Sequence, residues 1–323
     1  MTRLWQATLA VAALLAFVTQ PRSAGPEFPE RAIRIVVPFG AGGLADITMR
    51  LVGQKLTERT GQQVVIENRP SAGGILAAAA VTSAAPDGYT LFVLSSGIAI
   101  SRSMMKTLPF DPVTAFTPIS TVAFFDLLVL VKGDSPLRTV ADALAAARAA
   151  PDKFNVGTIN RGSTQNTTGE LLRSTTGVKM TIVPFRSTGE VATALLRGDV
   201  TIGVESYAAL KAQIDEGALR AIAGTGKVRS ALLPNVPTLR QSGVAAEVVG
   251  WNALVAPAGT PADAIATLNR HIRAIVNGPE FKARMRELGT EARSSTPQEL
   301  GARLKADIEK WAIVIKQAGI EPQ

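Results

Sequence analysis

The sequence of 323 residues contains no cysteine and a single histidine, His271. Without cysteine, the chain can form neither a disulfide framework nor the lipid-modified cysteine that anchors some exported proteins to a membrane. One histidine and no thiolate exclude the ordinary zinc sites, and a calcium loop of alternating Asp and Asn is absent. We therefore expect no metal and no cofactor, and a fold stabilised by its hydrophobic core alone.

Aromatic residues and concentrated positive charge are also scarce. Aromatic residues are only 5% of the chain, and the formal net charge of +8 is spread over single Lys and Arg residues. Proteins that bind single-stranded nucleic acid need aromatic stacking platforms and a basic groove. The sequence therefore predicts no nucleic-acid partner.

Only the N-terminus has an apolar run that suggests a targeting segment. Arg3 precedes a mainly apolar run, residues 4–18, and Pro21 and three small residues, 23–25, follow it. This order is typical of a secretory signal peptide, and the run is too short to span a bilayer comfortably. We expect residues 1–25 to be removed, leaving a soluble, monomeric periplasmic protein.

Short β-rich runs alternate with helical patterns along most of the chain. This alternation is typical of a parallel sheet with helices on both faces. The chain length and the 46% hydrophobic content favour two lobes. The predicted strands are 33–37, 64–67, 89–94, 127–131, 154–158, 180–185, 201–205 and 219–223.

Two further segments, 123–128 and 250–256, are predicted to cross between the lobes. Lobe 1 is then discontinuous and consists of residues 26–125 plus 252–323, while lobe 2 consists of residues 126–251.

The C-terminal helices have clear boundary signals. Thr260 is the predicted N-cap and Pro261 the first residue of a helix that Gly278 ends. Thr296 and Glu299 are spaced as a capping box, which predicts the start of the last long helix.

The local feature with most chemical meaning is the glycine-rich turn Phe39-Gly40-Ala41-Gly42-Gly43-Leu44-Ala45-Asp46, between the first predicted strand and a helix. Such a turn exposes unpaired backbone N–H groups at the positive end of the helix dipole, which makes it a seat for a carboxylate or a phosphate. The alternative interpretation is structural, with glycines serving only a tight turn.

The same turn also fits a dinucleotide fingerprint. Gly40, Gly42 and Ala45 have the required spacing, and Glu67 ends the next strand about 20 residues on. An NAD(P)-dependent oxidoreductase is therefore the alternative function. Export argues against it, because nicotinamide cofactors are not a normal free pool outside the inner membrane.

A second loop, residues 160–166, follows the predicted strand 154–158 and leads into a helix. Ser163 or Thr164 can cap this helix while the other hydroxyls and amides of the loop point into the cleft at its N-terminal end. Arg161 adds a positive charge there. The alternative is an ordinary N-cap.

Catalytic motifs find little support. There is no Gly-x-Ser-x-Gly elbow and no Walker A loop. Ser103 and Lys106 match Ser-x-x-Lys, but the companion motifs are missing and the match falls in 101–118, which is predicted to be a long loop. His271 lies on a predicted helix beside apolar residues, where it borders the packed face. The sequence therefore predicts a protein that is not an enzyme.

Five segments, taken in order, resemble one known family. They are IRIVVPF at 33–39, VIENRP at 65–70, APDGYTL at 85–91, LLPNVPT at 232–238 and PAGTP at 257–261. With the turns between them, essentially the whole mature chain resembles the substrate-binding proteins of the tripartite tricarboxylate transporter group, often called Bug proteins.

This resemblance implies an α/β, two-lobed type II periplasmic binding-protein fold, in which each lobe is a central sheet flanked by helices. It implies capture of a small carboxylate-bearing metabolite between the lobes and delivery to the membrane subunits of a tripartite tricarboxylate transporter. A ligand-sensing partner of a membrane kinase is an alternative.

Ligand-binding residues carried over from the family lie in loops at strand ends, with the loops at 95–97 and 162–165 facing the first loop across the cleft. They are Phe39, Gly42, Gly43, Asp46, Ser95, Ser96, Gly97, Gly162, Ser163, Thr164, Gln165, Arg186, Ser187, Thr188, Glu205 and Ser206.

The sequence departs from the family pattern near this cleft. Residues 40–41 replace two usual prolines, Asn166 stands where His is common, and Glu205 replaces the usual Asp. Arg161 and Arg186 would suit a second carboxylate if they point inward. A di- or tricarboxylate is the first expectation, with an amino acid or an aromatic carboxylate as alternatives.

Overall fold

The computed structural model describes residues 28–322, so the predicted signal peptide, 1–25, lies outside the described residues. The described chain forms two β-sheets with helices packed against them. The strands are β1 (Ile33–Val37), β2 (Val64–Asn68), β3 (Thr90–Ser95), β4 (Phe116–Asp126), β5 (Leu128–Lys132), β6 (Asn155–Ile159), β7 (Thr181–Phe185), β8 (Ile202–Glu205), β9 (Leu219–Gly224), β10 (Val249–Pro257) and β11 (Thr290–Ala292). The α-helices are α1 (Leu44–Thr60), α2 (Ile75–Thr82), α3 (Ser96–Met104), α4 (Val140–Ala149), α5 (Thr164–Thr176), α6 (Thr188–Arg197), α7 (Tyr207–Asp215), α8 (Ala262–Asn277), α9 (Pro279–Glu287) and α10 (Pro297–Gln317).

Sheet 1 has the strand order β11-β4-β10-β3-β1-β2 and forms the centre of lobe 1. β1 pairs in parallel with β2 and β3, whereas β10 is antiparallel to β3 and β4. In β1, Ile33, Ile35, Val36 and Val37 are fully buried. A strand this apolar fits only a sheet that is covered on both faces, which is the position β1 occupies.

Sheet 2 has the order β7-β6-β8-β5-β9 and forms the centre of lobe 2. β6 pairs in parallel with β7 and β8, and β5 is antiparallel to β8 and β9. The α/β fold with two lobes is confirmed. The prediction of a parallel sheet is wrong in part, because antiparallel pairing of β10 in sheet 1 and of β5 in sheet 2 makes both sheets mixed.

The chain crosses from sheet 1 to sheet 2 at Leu127, between β4 and β5, and returns through residues 225–248. Thr225 joins the two crossings: its Oγ1 accepts from the Leu127 N–H at 2.9 Å and donates to the Val248 carbonyl at 2.7 Å. The first predicted crossing segment, 123–128, contains this point. The second predicted crossing segment, 250–256, lies wholly inside β10, so the chain returns to sheet 1 before this segment. The predicted lobe boundaries, at 125/126 and 251/252, stay a prediction.

All eight predicted strands are present with ends within one residue of their predicted positions, whereas β11 was not predicted. The predicted loop 101–118 is shorter at both ends, because its first residues complete α3 and its last begin β4.

The capping box of Thr296 and Glu299 is confirmed, and Gly278 ends α8. Thr260 is not the N-cap of α8, since Pro261 takes that position and the Thr260 hydroxyl donates to the Pro257 carbonyl at 2.8 Å. Within residues 28–322, no helix has both the length and the apolarity that crossing a bilayer requires.

Candidate functional site

A pocket lies between the lobes, where the carboxyl ends of β1, β3, β6 and β7 lead into helices. In open α/β sheets this edge is the usual ligand position. Water can reach about 20 Å³ of the pocket, which is enough for about one molecule, so a larger ligand requires the lobes to move apart. The pocket is lined by Phe39, Gly40, Gly43, Leu44, Ala45, Ser95, Phe125, Ile159, Thr164, Gln165, Thr188 and Asn252.

Helix α1 presents its N-terminus to this pocket without a side-chain cap. Its N-cap is Gly43, which has no side chain to accept from the first N–H groups of the helix, and the residues that carry those groups, Leu44 and Ala45, line the pocket. These N–H groups carry the positive end of the dipole of a 17-residue helix. The turn therefore has the geometry that the predicted anion seat requires, and its role as an anion seat stays a prediction.

Asp46 holds the glycine turn in place. Its Oδ2 accepts from the Gly42 N–H at 2.9 Å, and Arg50 forms an ion pair with it one helical turn away. Burial alone would raise the pKa of Asp46, but the bonds from Arg50 and the Gly42 N–H hold that pKa below its ordinary value. Asp46 is buried and absent from the pocket wall, so it shapes the turn from behind.

Ser95 and Asn252 stand side by side on the wall of lobe 1. Ser95 caps α3 by accepting from the Ile98 N–H, and Asn252 of β10 lies directly opposite Ser95 in the strand pairing. Asn252 is 2% exposed, and its Nδ2 donates no hydrogen bond within residues 28–322. A buried amide donor without a partner costs free energy unless something else accepts from it.

On the wall of lobe 2, Gln165 and Thr188 are attached to a buried carboxylate behind them. The Gln165 Nε2 donates to Glu205 Oε1 at 2.9 Å, and the Thr188 Oγ1 donates to Glu205 Oε2 at 2.6 Å. The N–H of Ser206 adds a third bond at 2.7 Å. Burial raises the pKa of the Glu205 carboxyl above its ordinary value, and these three donors counteract the rise.

The lobes touch directly beside the pocket. The Gly73 N–H donates to the Arg161 carbonyl at 2.9 Å, and the Ser101 hydroxyl donates to the Gly162 carbonyl at 3.1 Å. A Cβ on Gly97 would lie only 2.7 Å from both the Gly162 carbonyl oxygen and the Thr164 nitrogen. Gly97 therefore lets the backbones of the two lobes approach closely.

Of the residues predicted to bind ligand, six line the pocket and nine lie behind it or at its edges. The lining residues are Phe39, Gly43, Ser95, Thr164, Gln165 and Thr188. The others are Gly42, Asp46, Ser96, Gly97, Gly162, Ser163, Ser187, Glu205 and Ser206, which cap helices, join the lobes or support the wall. The loop at 95–97 lies beside the first loop and not across from it, because β3 and β1 are neighbours in sheet 1.

Arg186 is the predicted residue that lies elsewhere. Its side chain is exposed and lines an outer groove together with Arg161 and Ser71. Neither arginine lines the pocket described above, so the condition under which they would suit a second carboxylate, that they point inward, is not met.

The sequence interpretation missed Ile159, Asn252 and Phe125. Asn252 and Phe125 belong to strands β10 and β4, which come from distant parts of the chain and pair only in the folded sheet. A signal existed for Asn252, because it is the one polar side chain in an apolar strand core, Trp251–Val255.

Two other chemistries receive little support from these contacts. The Glu67 carboxylate, which the dinucleotide fingerprint requires, accepts hydrogen bonds from Arg34 and Arg69. Among the described residues, no group of three or more His, Cys, Asp or Glu side chains could hold a metal ion.

Comparisons with known proteins agree with this geometry. The model of the family described as "Tripartite tricarboxylate transporter family receptor" matches residues 48–320. The protein BugT of Bordetella pertussis is 30% identical over 99% of this chain and 98% of its own length.

Two similar structures contain bound carboxylates. R. palustris Rpa4515, solved with adipate, is 33% identical with a TM-score of 0.88, covering 92% of this chain and 100% of its own. MatC of Rhodopseudomonas palustris, solved with malate, is 30% identical with a TM-score of 0.85, covering 89% of this chain and 100% of its own.

Proposed function

Because the chain belongs to the tripartite tricarboxylate transporter receptor family, we propose that it is a periplasmic solute-binding protein for a small carboxylate. It captures the ligand between its lobes and delivers it to the membrane subunits of a tripartite tricarboxylate transporter. It performs no chemistry on the ligand and acts as a monomer. The adipate and malate held by two structural relatives support the carboxylate class.

The observation that carries this proposal is the uncapped N-terminus of α1 in the wall of the pocket. A ligand carboxylate accepts from the Leu44 and Ala45 N–H groups and is stabilised by the helix dipole. The Asn252 Nδ2 supplies a further donor, which has no other acceptor in the described chain. The pocket wall contains no Lys or Arg, so these neutral donors carry the recognition of the anion.

Closure of the lobes follows from the division of these contacts. Lobe 1 provides the α1 N-terminus and Asn252, and lobe 2 provides Thr164, Gln165 and Thr188. A ligand that bonds to both walls favours the closed state by its differential affinity for that state. The membrane subunits then recognise the closed form.

The test is a thermal-shift screen of the purified protein against small carboxylates, amino acids, NAD and NADP, followed by titration calorimetry. We expect saturable stabilisation by one class of carboxylates, because a ligand that binds only the native state raises its stability by mass action. Stabilisation by NAD or NADP, with none by any carboxylate, would overturn the proposal. Uptake of the identified ligand by vesicles carrying the membrane subunits, dependent on added protein, tests the delivery step.

A further inference from the structure

The outer groove crosses the seam between the two lobes. It lies where β2 ends on lobe 1 and where β6 and β7 end on lobe 2, and its volume is about 310 Å³. Its lining includes Pro70 and Ser71 from lobe 1 and Asn160, Arg161, Phe185 and Arg186 from lobe 2. None of its lining residues belongs to the pocket between the lobes, so it is a different surface.

Hydrogen bonds between the lobes hold the two sides of the outer groove together. The Asn160 Nδ2 donates to the Ser71 carbonyl at 2.8 Å, and the Gly73 N–H donates to the Arg161 carbonyl at 2.9 Å. Both bonds break if the lobes move apart, and the groove then divides into two halves. The complete groove is therefore a surface of the closed form.

The two arginines of the outer groove have no anionic partner. Arg161 and Arg186 are exposed, and neither guanidinium forms an ion pair or a hydrogen bond among residues 28–322. Glu190 accepts from the backbone N–H of Arg186 at 3.0 Å and not from its guanidinium. The groove therefore presents two unpaired positive charges.

The cations of the neighbouring groove are different, because each is already paired. This groove adjoins the outer groove through Arg161, and it contains Arg173 and Lys179. Arg173 forms an ion pair with Glu170, and Lys179 forms one with Asp152 at 2.7 Å. The unpaired positive charge of this face is thus concentrated in the outer groove.

Apolar side chains lie beside these charges. Pro70 and the half-buried Phe185 line the outer groove from opposite lobes. β7 is the edge strand of sheet 2, but its Pro184 has no N–H to donate, which disfavours pairing with an added strand. A segment in this groove is therefore recognised by its side chains, with carboxylates for the arginines and an apolar group for Phe185.

Resting on the proposed function, we propose that the closed protein docks on a membrane subunit through the outer groove, which receives an acidic segment of that subunit. Two carboxylates of the segment pair with Arg161 and Arg186, and an apolar side chain between them packs on Phe185. Charge complementarity of this kind sets the association rate and the choice of partner. Because opening divides the groove, docking selects the closed form.

The first test uses a fluorescein-labelled peptide, Gly-Glu-Glu-Leu-Glu-Glu-Gly, and the same peptide with Gln in place of every Glu. Fluorescence anisotropy with the purified protein should show saturable binding of the Glu peptide at low salt. We expect that peptide to bind about fivefold or more tighter than the Gln peptide, with the difference reduced at high salt.

A matched pair of double variants locates the binding. Arg161→Gln combined with Arg186→Gln removes both unpaired charges of the groove. Arg148→Gln combined with Arg270→Gln removes the same net charge from exposed arginines of α4 and α8 that form no ion pair within the described chain. The groove variant should bind the Glu peptide about fivefold or more weakly, and the control should stay within about twofold of the wild type.

The second test identifies the partner by flotation of the labelled protein with lipid vesicles. Vesicles that carry the membrane subunits should retain the wild type and the control, and should retain about fivefold or more less of the groove variant. Anionic vesicles without the subunits should not distinguish the three proteins. The thermal shifts produced by small carboxylates should also be the same in all three, because neither groove arginine lines the pocket between the lobes.

The outcomes separate this inference from the proposed function. Equal binding of the two peptides, or equal losses in the two double variants, would show that the groove is not the docking site. Loss of peptide binding with unchanged retention by the subunits would overturn the assignment of the partner, as would a difference on anionic lipid alone. Loss of the carboxylate-induced shift in the groove variant would place the arginines in ligand binding instead. If no carboxylate stabilises the wild type, the proposed function itself fails.

Discussion

At the scale of single residues, Asn252 is the side chain for which stability and the proposed ligand binding conflict. A buried donor without a partner costs roughly 1–3 kcal/mol in the ligand-free protein. Asn252→Leu removes this donor at similar volume, so we expect the ligand-free protein to keep or gain thermal stability. The same variant should bind the carboxylate about tenfold or more weakly, as measured by thermal melts and calorimetry.

A second substitution at this position separates charge from shape. Asn252→Asp has the same outline but places a negative charge beside Ser95 and the α1 N-terminus. Carboxylate affinity should fall further than in Asn252→Leu, because the new charge repels the ligand. Wild-type affinity in both variants would show that Asn252 does not contact the ligand.

The residues of the site that the sequence predicted are those whose role is local. The glycine turn before α1 and the Ser163 cap of α5 depend on neighbours within a few positions, so spacing alone reveals them. Asn252 and the wall role of Phe125 depend on strand pairing across more than 120 positions, which no local pattern records. The direction of Arg186 was also beyond the sequence, since a long side chain beside a cleft can turn either way.

At the scale of elements, the proposed binding mode implies that the open N-terminus of α1 exchanges helix stability for ligand binding. Gly43 has φ −77° and ψ 166°, a conformation that any L-residue adopts. Gly43→Asp would therefore place a carboxylate where it caps its own helix, which stabilises a helix by about 1 kcal/mol. We expect the ligand-free melting temperature to rise and carboxylate affinity to fall by about tenfold or more, because the anion seat is filled.

Gly43→Ala is the matched control for the size of the new side chain. A Cβ at this position meets the Thr188 Oγ1 at 3.3 Å, a close contact that a small shift can relieve. The alanine variant should lose less affinity than the aspartate variant. Equal losses in both would mean that steric contact and not charge controls the site.

The element that the sequence missed and the helix start that it misplaced each have a physical cause. β11 has three residues and forms only as an edge strand against β4, so its sequence carries no period of its own. The start of α8 moved by one residue because Thr260 turns its hydroxyl back to Pro257 and leaves Pro261 as N-cap. Short β-rich apolar runs predicted eight of the other strands, since burial within a sheet dictates their composition directly.

At the scale of the whole molecule, Asp126 links stability to pH at the junction of the lobes. It ends β4 and pairs with Val249 at the start of β10, where the chain passes between the sheets. Burial, with the nearby charges of Glu247 and Glu291, raises the pKa of Asp126 from 3.8 to about 6. The folded state therefore keeps this proton to higher pH than the unfolded state does.

The sign of the pH effect follows from this difference. Stability from Asp126 is fully present below about pH 4 and is lost as the pH rises through about 6. Asp126→Asn should raise the free energy of unfolding by about 1–2 kcal/mol at pH 7–8 and leave it nearly unchanged at pH 4. Thermal melts across this range check the expectation, and parallel curves for the variant and the wild type would contradict it.

The proposed closure of the lobes depends on the contact between Gly97 and the backbone of lobe 2, which leaves no room for a side chain at Gly97. Lobe 1 by itself can tolerate a methyl group on Gly97, because this residue lies in α3, where alanine is favoured over glycine by up to about 1 kcal/mol. In the closed form, however, that methyl group would meet the backbone of lobe 2 at 2.7 Å, at both Gly162 and Thr164. Gly97→Ala should therefore fold normally, bind ligand about tenfold or more weakly, and lose the compaction that we expect the ligand to induce, as measured by small-angle scattering.

The control for this substitution lies on the other lobe. A Cβ on Gly189 of α6 would meet only the Ser187 hydroxyl at 3.9 Å, so Gly189→Ala should leave affinity and compaction unchanged. If Gly97→Ala binds and compacts like the wild type, the approach of the two backbones at this point is not part of the bound state. If it binds weakly but still compacts, the ligand closes the lobes through a different contact. Weak binding without compaction is the expected result, because the apparent affinity falls with the fraction of molecules able to close.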